Sequence, residues 1–325
     1  MNYRLIRNSL VVGFVVVLGC LPTAFGKDPA AKEKIAVIYD SDIGDDIDDT
    51  WALTLLLKSP EFDVKLVVGD QGKTIYRAKL FAKLLETAGR TDVPVGIGAD
   101  VNASGNGRQQ AWVEDYDLKS YPGKIYEDGV QAIIDTILGS PTPITLIAVG
   151  PTPNIAAALK REPRIAEKAR FVGMHGSVRR GYGGSKEISA EYNVRADAKA
   201  CQAVFTAPWE MTITPLDTCG LVHLRGERYA KVRDCKDPST RALIANYRIW
   251  AGDPKRSEAA SSTLFDTVAV YLAMTQELCK IETLPIRVTD DGKTVIDPAA
   301  KKMQVATEWK DLGQFEQFLV DRLTK

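Results

Sequence analysis

The chain has 325 residues, 42 of them basic and 42 acidic, so its formal net charge is zero, and 45% of it is hydrophobic. That apolar content supports a full buried core, and the length suits one large domain or two smaller ones. The balanced charge leaves no electrostatic footprint for nucleic acid or for an anionic membrane surface.

At the N-terminus, Arg4 and Arg7 precede an apolar run from Leu10 to Leu21, and Ala24-Phe25-Gly26 follows. A basic stretch, a hydrophobic stretch and a small-x-small site are the parts of a secretory signal. Residues 1–26 are therefore expected to be a signal peptide, leaving 27–325 as a single exported domain, periplasmic or secreted. Val17-Leu18-Gly19-Cys20 is an imperfect lipobox, so lipidation at Cys20 is the alternative. The run is short for a spanning helix, and no later segment is long and apolar enough to be one.

The apolar run Ile35–Tyr39 reads as a buried strand. It leads into Asp40-Ser41-Asp42-Ile43-Gly44-Asp45-Asp46-Ile47-Asp48-Asp49, six aspartates in ten residues, and then into the helical run Trp51–Leu57. Ligands in α/β folds collect at such strand-to-helix turns. Crowded carboxylates raise one another's pKa, and a hard cation would neutralise them; an all-oxygen shell favours Ca²⁺ or Mg²⁺. Further strands are expected at Val64–Val68, Ile144–Val149, Phe171–Met174 and Met211–Thr214. Helices are expected at Lys73–Ala88, Ile125–Leu138, Asn154–Lys160, Ala196–Phe205 and Leu264–Leu278. Alternating strands and helices imply an α/β fold with a central, mostly parallel sheet. Residues 100–123 are polar and Gly-rich and read as a mobile loop. Asp290-Asp291-Gly292 between Ile286–Val288 and Thr294–Ile296 is a hairpin signal. The four cysteines after the signal, Cys201, Cys219, Cys235 and Cys279, fit free thiols or a disulfide equally.

Five ordered motifs carry a resemblance. They are Asp40-x-Asp42-x-Gly44 with Asp48-Asp49-Thr50-Trp51-Ala52-Leu53; Val67-Val68-Gly69-Asp70; Gly150-Pro151-Thr152-Pro153-Asn154-Ile155-Ala156; Ala190-Glu191-Tyr192-Asn193; and Asp266-Thr267-Val268-Ala269-Val270. Through roughly residues 34–280 the chain resembles the inosine-uridine preferring nucleoside hydrolase family. The resemblance implies a Rossmann-like single domain that hydrolyses the N-glycosidic bond of ribonucleosides to ribose and free base, commonly as a homodimer or homotetramer. It implies one Ca²⁺ that activates water and orients the sugar. By motif match, Asp42, Asp49, Asp266 and the main-chain carbonyl of Val149 would hold the ion. Asp42 would also be the general base. Asp48, Asp70, Glu191 and Asn193 would bind the ribose, with Asp40 supporting the loop.

Each of these residues also has a plainer reading. Asp266 could be a helix N-cap. Glu191 and Asn193 could be surface residues where a helix begins, and Asn154 a capping residue. Asp45 and Asp46 read as solvated loop charges.

Three positions depart from the family pattern. The family's V-V-G-N asparagine is Asp70. The asparagine of its glycine-asparagine pair is Ser185, after Gly184. The histidine that protonates the leaving base in inosine-uridine enzymes is Phe265. Purine-preferring members stack the base on an aromatic residue there, so Phe265 tilts the expectation toward purine nucleosides. His175 is expected to hydrogen-bond locally, with leaving-group acid as its other reading. Trp112 could stack on a base or pack its loop down. Two other classes of function stay open. One is a non-catalytic, Ca²⁺-dependent nucleoside or ribose binder. The other is a phosphatase with Asp40 as nucleophile and Asp42 as acid, which leaves Glu191, Asn193 and Asp266 unexplained.

Overall fold

The computed structural model describes Met1, Gly13, residues 33–101 and residues 107–325. The expected signal peptide and Cys20 fall outside the described residues, as does the 102–106 part of the Gly-rich loop. Residues 34–325 form one compact unit.

Among the described residues, ten strands make one sheet: β1 (Ile35–Ser41), β2 (Phe62–Gly69), β3 (Val95–Ile97), β4 (Ile125–Tyr126), β5 (Ile144–Ala148), β6 (Ala169–Met174), β7 (Met211–Thr214), β8 (Cys279–Val288), β9 (Thr294–Ile296) and β10 (Lys302–Trp309). Their order is β4-β3-β2-β1-β5-β6-β7-β10-β8-β9. β4 through β7 and on to β10 pair in parallel; β8 and β9 add antiparallel strands at one edge. The central strands are apolar on both faces, and buried clusters lie on each side of the sheet, one around Tyr39 and Trp51, the other around Ile38 and Leu146. That is the pattern of a parallel sheet covered by helices on both faces.

β1 is flanked by β2 on one side and β5 on the other, so the chain order reverses there. This is the topological switch point, and its crevice opens at the carboxyl ends of the strands. Register places Asp40 beside Ala148 and Ser41 beside Gly69. The aspartate-rich turn after β1 therefore opens at that crevice, next to Val149 and Asp70.

Three expected helices are shorter than their patterns. Ile125 and Tyr126 form an edge strand, and the helix starts at Gly129, after Asp128 accepts a bond from Gln131 N–H. Asp197 separates the helix Tyr192–Ala196 from Ala198–Thr206 and caps the latter through Ala200 N–H. The helix expected over Leu264–Leu278 spans Thr267–Met274. The expected hairpin joins β8 and β9. All four described cysteines are free thiols. No helix among the described residues is long and apolar enough to cross a membrane.

Candidate active site

The turn after β1 is built around its own buried contacts. Ser41 Oγ donates to Asp49 Oδ1 at 2.5 Å and accepts from Ile43 N–H at 3.0 Å. Gly44 has a φ of 110°, and a Cβ there would lie 2.5 Å from the Tyr76 ring, so the turn needs glycine. Asp48 and Asp49 open the next helix (Asp48–Leu57), where its N-terminus favours negative charge.

Carboxylate oxygens of Asp48, Asp49 and Asp266 lie within 4.8 Å of one another, and all three residues are buried. Asp42, 5% exposed, borders them. Burial first holds all four carboxyls well above the usual carboxylate range, with repulsion from neighbouring acids adding to it, for Asp42 from Asp70 and Asp45 against the pull of Arg77. The charge of Asp42 contributes to the rise of each of the other three. Asp266 sits at the N-cap position of Thr267–Met274, yet its side chain makes no capping bond. The capping alternative for Asp266 therefore fails, and its carboxylate faces the cluster.

A cavity of about 270 Å³ opens over this cluster. Asp42, Asp48, Asp49, Val149, Glu191, Asn193, Phe265 and Asp266 all line it, eight of the nine residues expected there. Glu191 and Asn193 are buried rather than surface residues. Glu191 accepts from the main-chain N–H of Gly176, Asn193 and Val194, so it both caps a helix and faces the cavity. Burial pushes its carboxyl up to about 7, against the pull of those three donors. Asn193 Nδ2 donates to the carbonyls of Val149 and Met174, both at 3.0 Å, which fixes the Val149 carbonyl at the rim of the cluster.

Asp70 is the exception. It is fully buried and is not part of the cavity wall. It accepts from Thr152 N–H at 3.2 Å, and burial and then the charge of neighbouring Asp40 push its carboxyl well above the usual carboxylate range. The backbone of Gly150 passes so close that a Cβ there would lie 2.6 Å from the Asp70 carboxylate. Asp70 thus lies beneath the cavity wall, behind the Gly150 backbone. Asp40 is buried beside it, with its carboxyl raised to about 6 by burial despite the bond from Asn154. Asn154 does not cap its helix. Its amide donates to Asp40 and to the Gly69 carbonyl and accepts from Ala99 N–H, tying β1, β2 and the 98–99 segment together.

Other residues settle as follows. His175 is fully buried, with Nε2 2.9 Å from the Gly150 carbonyl and its pKa lowered to about 4 by burial. It is not on the wall and takes the local role. Trp112 lies under the Lys83 ammonium, 4.7 Å away, and is not on the wall either. Asp45 is not a free loop charge, because it pairs with Arg77 at 2.9 Å.

Several wall and support residues carried no signal in the sequence. Tyr182 meets Phe265 edge to face at 6.2 Å, and together with Tyr192 and Met174 they make the apolar side of the cavity. Arg77 is completely buried; it donates to the carbonyls of Asp42, Ile43, Gln71 and Gly72. Arg108 also lines the cavity.

The family model described as inosine-uridine preferring nucleoside hydrolase matches residues 37–317. The chain belongs to the inosine-uridine preferring nucleoside hydrolase family. It is 28% identical over 314 residues to the inosine-uridine preferring nucleoside hydrolase of Leishmania major, covering 89% of this chain and 97% of that one. It is also 28% identical over 217 residues to a pyrimidine-specific ribonucleoside hydrolase of Citrobacter koseri, covering 63% and 67%. Among solved structures, a plant nucleoside hydrolase superposes with a TM-score of 0.76 at 23% identity, over 89% of this chain and 99% of its own. A purine-preferring ribonucleoside hydrolase from Gardnerella vaginalis does so with a TM-score of 0.70 at 22% identity, over 89% and 98%. These structures establish the shared fold. As a nucleoside hydrolase, the protein is an enzyme of ribonucleoside N-glycosidic bond hydrolysis in a metal-dependent family, and its Asp48, Asp49 and Asp266 carboxylates are close enough together to hold a metal ion.

Proposed function

We propose that the protein is an exported, Ca²⁺-dependent hydrolase of ribonucleosides with a preference for purines. The observation that carries this reading is the buried group of Asp42, Asp48, Asp49 and Asp266 on the floor of a cavity with one aromatic side. Four acids forced together out of water are unfavourable unless protonated or neutralised. Carboxylates with a main-chain carbonyl are a donor set suited to Ca²⁺. Asp42, Asp49, Asp266 and the carbonyl of Val149 would hold the ion. When bound, it would acidify water and orient the ribose hydroxyls.

The chain's own residues do the rest. The Asp42 carboxylate takes a proton from the attacking water. The water oxygen bonds to C1′ as the C1′–N bond breaks, and the electron pair leaves with the base. Asp48 accepts a hydrogen bond from a ribose hydroxyl, and Glu191 and Asn193 hold the sugar from the other segment of the wall. Phe265, with Tyr182 against its edge, offers an aromatic surface to the base, which supports the purine preference. The pattern over residues 1–26 supports export.

The test is release of free base and reducing sugar from a panel of purine and pyrimidine ribonucleosides, with Ca²⁺, with chelator, and with Asp42→Ala. Purine turnover that disappears with chelator and in the variant is the expected result. Folded protein that binds Ca²⁺ and a nucleoside without turning any over would instead make it a binder. Turnover of pyrimidine nucleosides alone would reverse the assignment for Phe265.

A further inference from the structure

Breaking the glycosidic bond leaves an electron pair on the departing base, and the cavity is ill suited to an anion. Its wall carries seven acids: Asp42, Asp45, Asp46, Asp48, Asp49, Asp266 and Glu191. No histidine reaches it among the described residues, and Phe265 has no proton to give. Of the neutral donors, Asn193 and Tyr192 are engaged, and Tyr182 holds its proton too tightly to release it to a base. Asn193 Nδ2 is held by the Val149 and Met174 carbonyls. The Tyr182 hydroxyl accepts from Tyr192 N–H and keeps its proton, because burial and nearby Glu191 push its pKa up. Tyr192 donates toward Gln71.

One wall residue has the opposite character. Among the described residues, Arg108 is the only cation lining the cavity. Its guanidinium lies over the Trp250 ring, 4.1 Å from the centroid, and one Nη2–H donates to the Trp250 carbonyl at 2.9 Å. A guanidinium has five N–H donors and stays protonated, so others are available to the cavity.

Its placement is enforced from both sides. Trp250 is fixed by donating to the Asp45 carbonyl and by stacking on Tyr247. The next residue, Gln109, is completely buried; its amide donates to Thr50 Oγ1 and Asn246 Oδ1, and its main-chain N–H donates to Tyr76 Oη. A buried glutamine, bonded to the helix that carries Asp48 and Asp49, therefore pins the arginine to the rim of the acidic floor. Charged donors set in place where charge develops stabilise a transition state without reorganisation.

We propose that Arg108 is a catalytic residue of this site, donating N–H hydrogen bonds to the leaving base and offsetting the negative charge it acquires as the C1′–N bond breaks. Arg108 does not transfer its proton. The base leaves as a hydrogen-bonded anion and is protonated by water, while the proton of the attacking water goes to Asp42. Gln109 is a positioning residue for it. The inference rests on the hydrolase reading above.

The test compares substrates that need leaving-group help with one that does not. Inosine and uridine release basic nitrogen leaving groups; 4-nitrophenyl β-ribofuranoside releases a phenolate that departs unaided. With the Ca²⁺-loaded protein, Arg108→Gln is expected to lower kcat on inosine and uridine by about 100-fold. It should change kcat on the nitrophenyl riboside by less than about threefold, because that step gains little from the same contact. Equal loss on all three substrates would make Arg108 a structural residue of the rim, and an unchanged kcat on inosine and uridine would remove it from the reaction; either overturns the inference. Wild-type protein inactive on every substrate would overturn the hydrolase reading itself, and this inference with it.

Discussion

Replacing Arg77 with methionine tests whether the acidic turn is held from below by one buried side chain. Arg77 is completely buried and donates to four main-chain carbonyls, those of Asp42, Ile43, Gln71 and Gly72, and it pairs with Asp45 at 2.9 Å. Two of those carbonyls belong to a turn in which Gln71, Gly72 and Lys73 have φ of 52°, 65° and 47°. Non-glycine residues persist there only when their surroundings fix them. Methionine fills similar volume with no donor. Buried carbonyls losing a partner cost about 1 kcal/mol or more each, and breaking a buried ion pair costs about 3–5 kcal/mol. Taken at their low ends these costs come to about 7 kcal/mol, and Asp45, with 13% side-chain exposure, regains water and brings the loss down to about 5 kcal/mol. That is a third or more of a typical domain's stability and corresponds to a melting temperature lower by roughly 10–20 °C. Urea denaturation of metal-free wild type and Arg77→Met, followed by circular dichroism, measures it. A loss below about 1 kcal/mol would refute the claim that this arginine organises the turn.

Four further outcomes are expected. First, metal-free protein loses stability as pH rises. Glu191 is raised to about 7 and Asp40 to about 6, so the folded state binds protons more tightly than the unfolded chain. That stability is complete below about pH 4 and gone once pH passes 7, about 3 kcal/mol from Glu191 alone; scanning calorimetry from pH 5 to 8 shows it, saturating Ca²⁺ should flatten the profile, and a rise with pH in metal-free protein would contradict it. Second, Asn154→Leu should cost about 2–4 kcal/mol by orphaning Asp40, the Gly69 carbonyl and Ala99 N–H, read by denaturant titration. Third, Phe265→Ala should raise KM for purine nucleosides about tenfold and for uridine much less, since the aromatic contact contributes about 1 kcal/mol beyond area; equal effects on both would detach Phe265 from base preference. Fourth, mature protein recovered after export should begin at Lys27, and N-terminal mass spectrometry decides between this and an acylated Cys20.

How far the sequence could be read depended on whether a residue's role was local. The strands that position the site were legible because a buried parallel strand is an uninterrupted apolar run, and β1 continues only two residues past its apolar run, through Asp40 and Ser41. The acidic turn was legible because six carboxylates between a strand and a helix have few stable arrangements without a counter-charge. Asp266 belonged to the cluster only by resemblance. Its chain position is also that of a helix cap, and it took the fold to show a side chain that makes no capping bond and meets Asp48 and Asp49 instead.

Residues whose partners are remote in sequence left no trace. Arg77 in an amphipathic helix reads like any surface arginine until its side chain is found turned inward onto carbonyls more than thirty residues upstream. Asn154 after a Pro turn has the pattern of a cap, yet its bonds run to strands more than eighty residues away. Asp70 shows the same limit from the opposite direction. An aspartate in a motif position that ends a strand at the switch point reads as a ligand to substrate, but strand register sets it beneath Gly150, beside Asp40 and off the cavity wall. Register and burial, rather than composition, separate the carboxylates that can touch a substrate from those that support them, and neither is fixed until β1, β2 and β5 lie side by side.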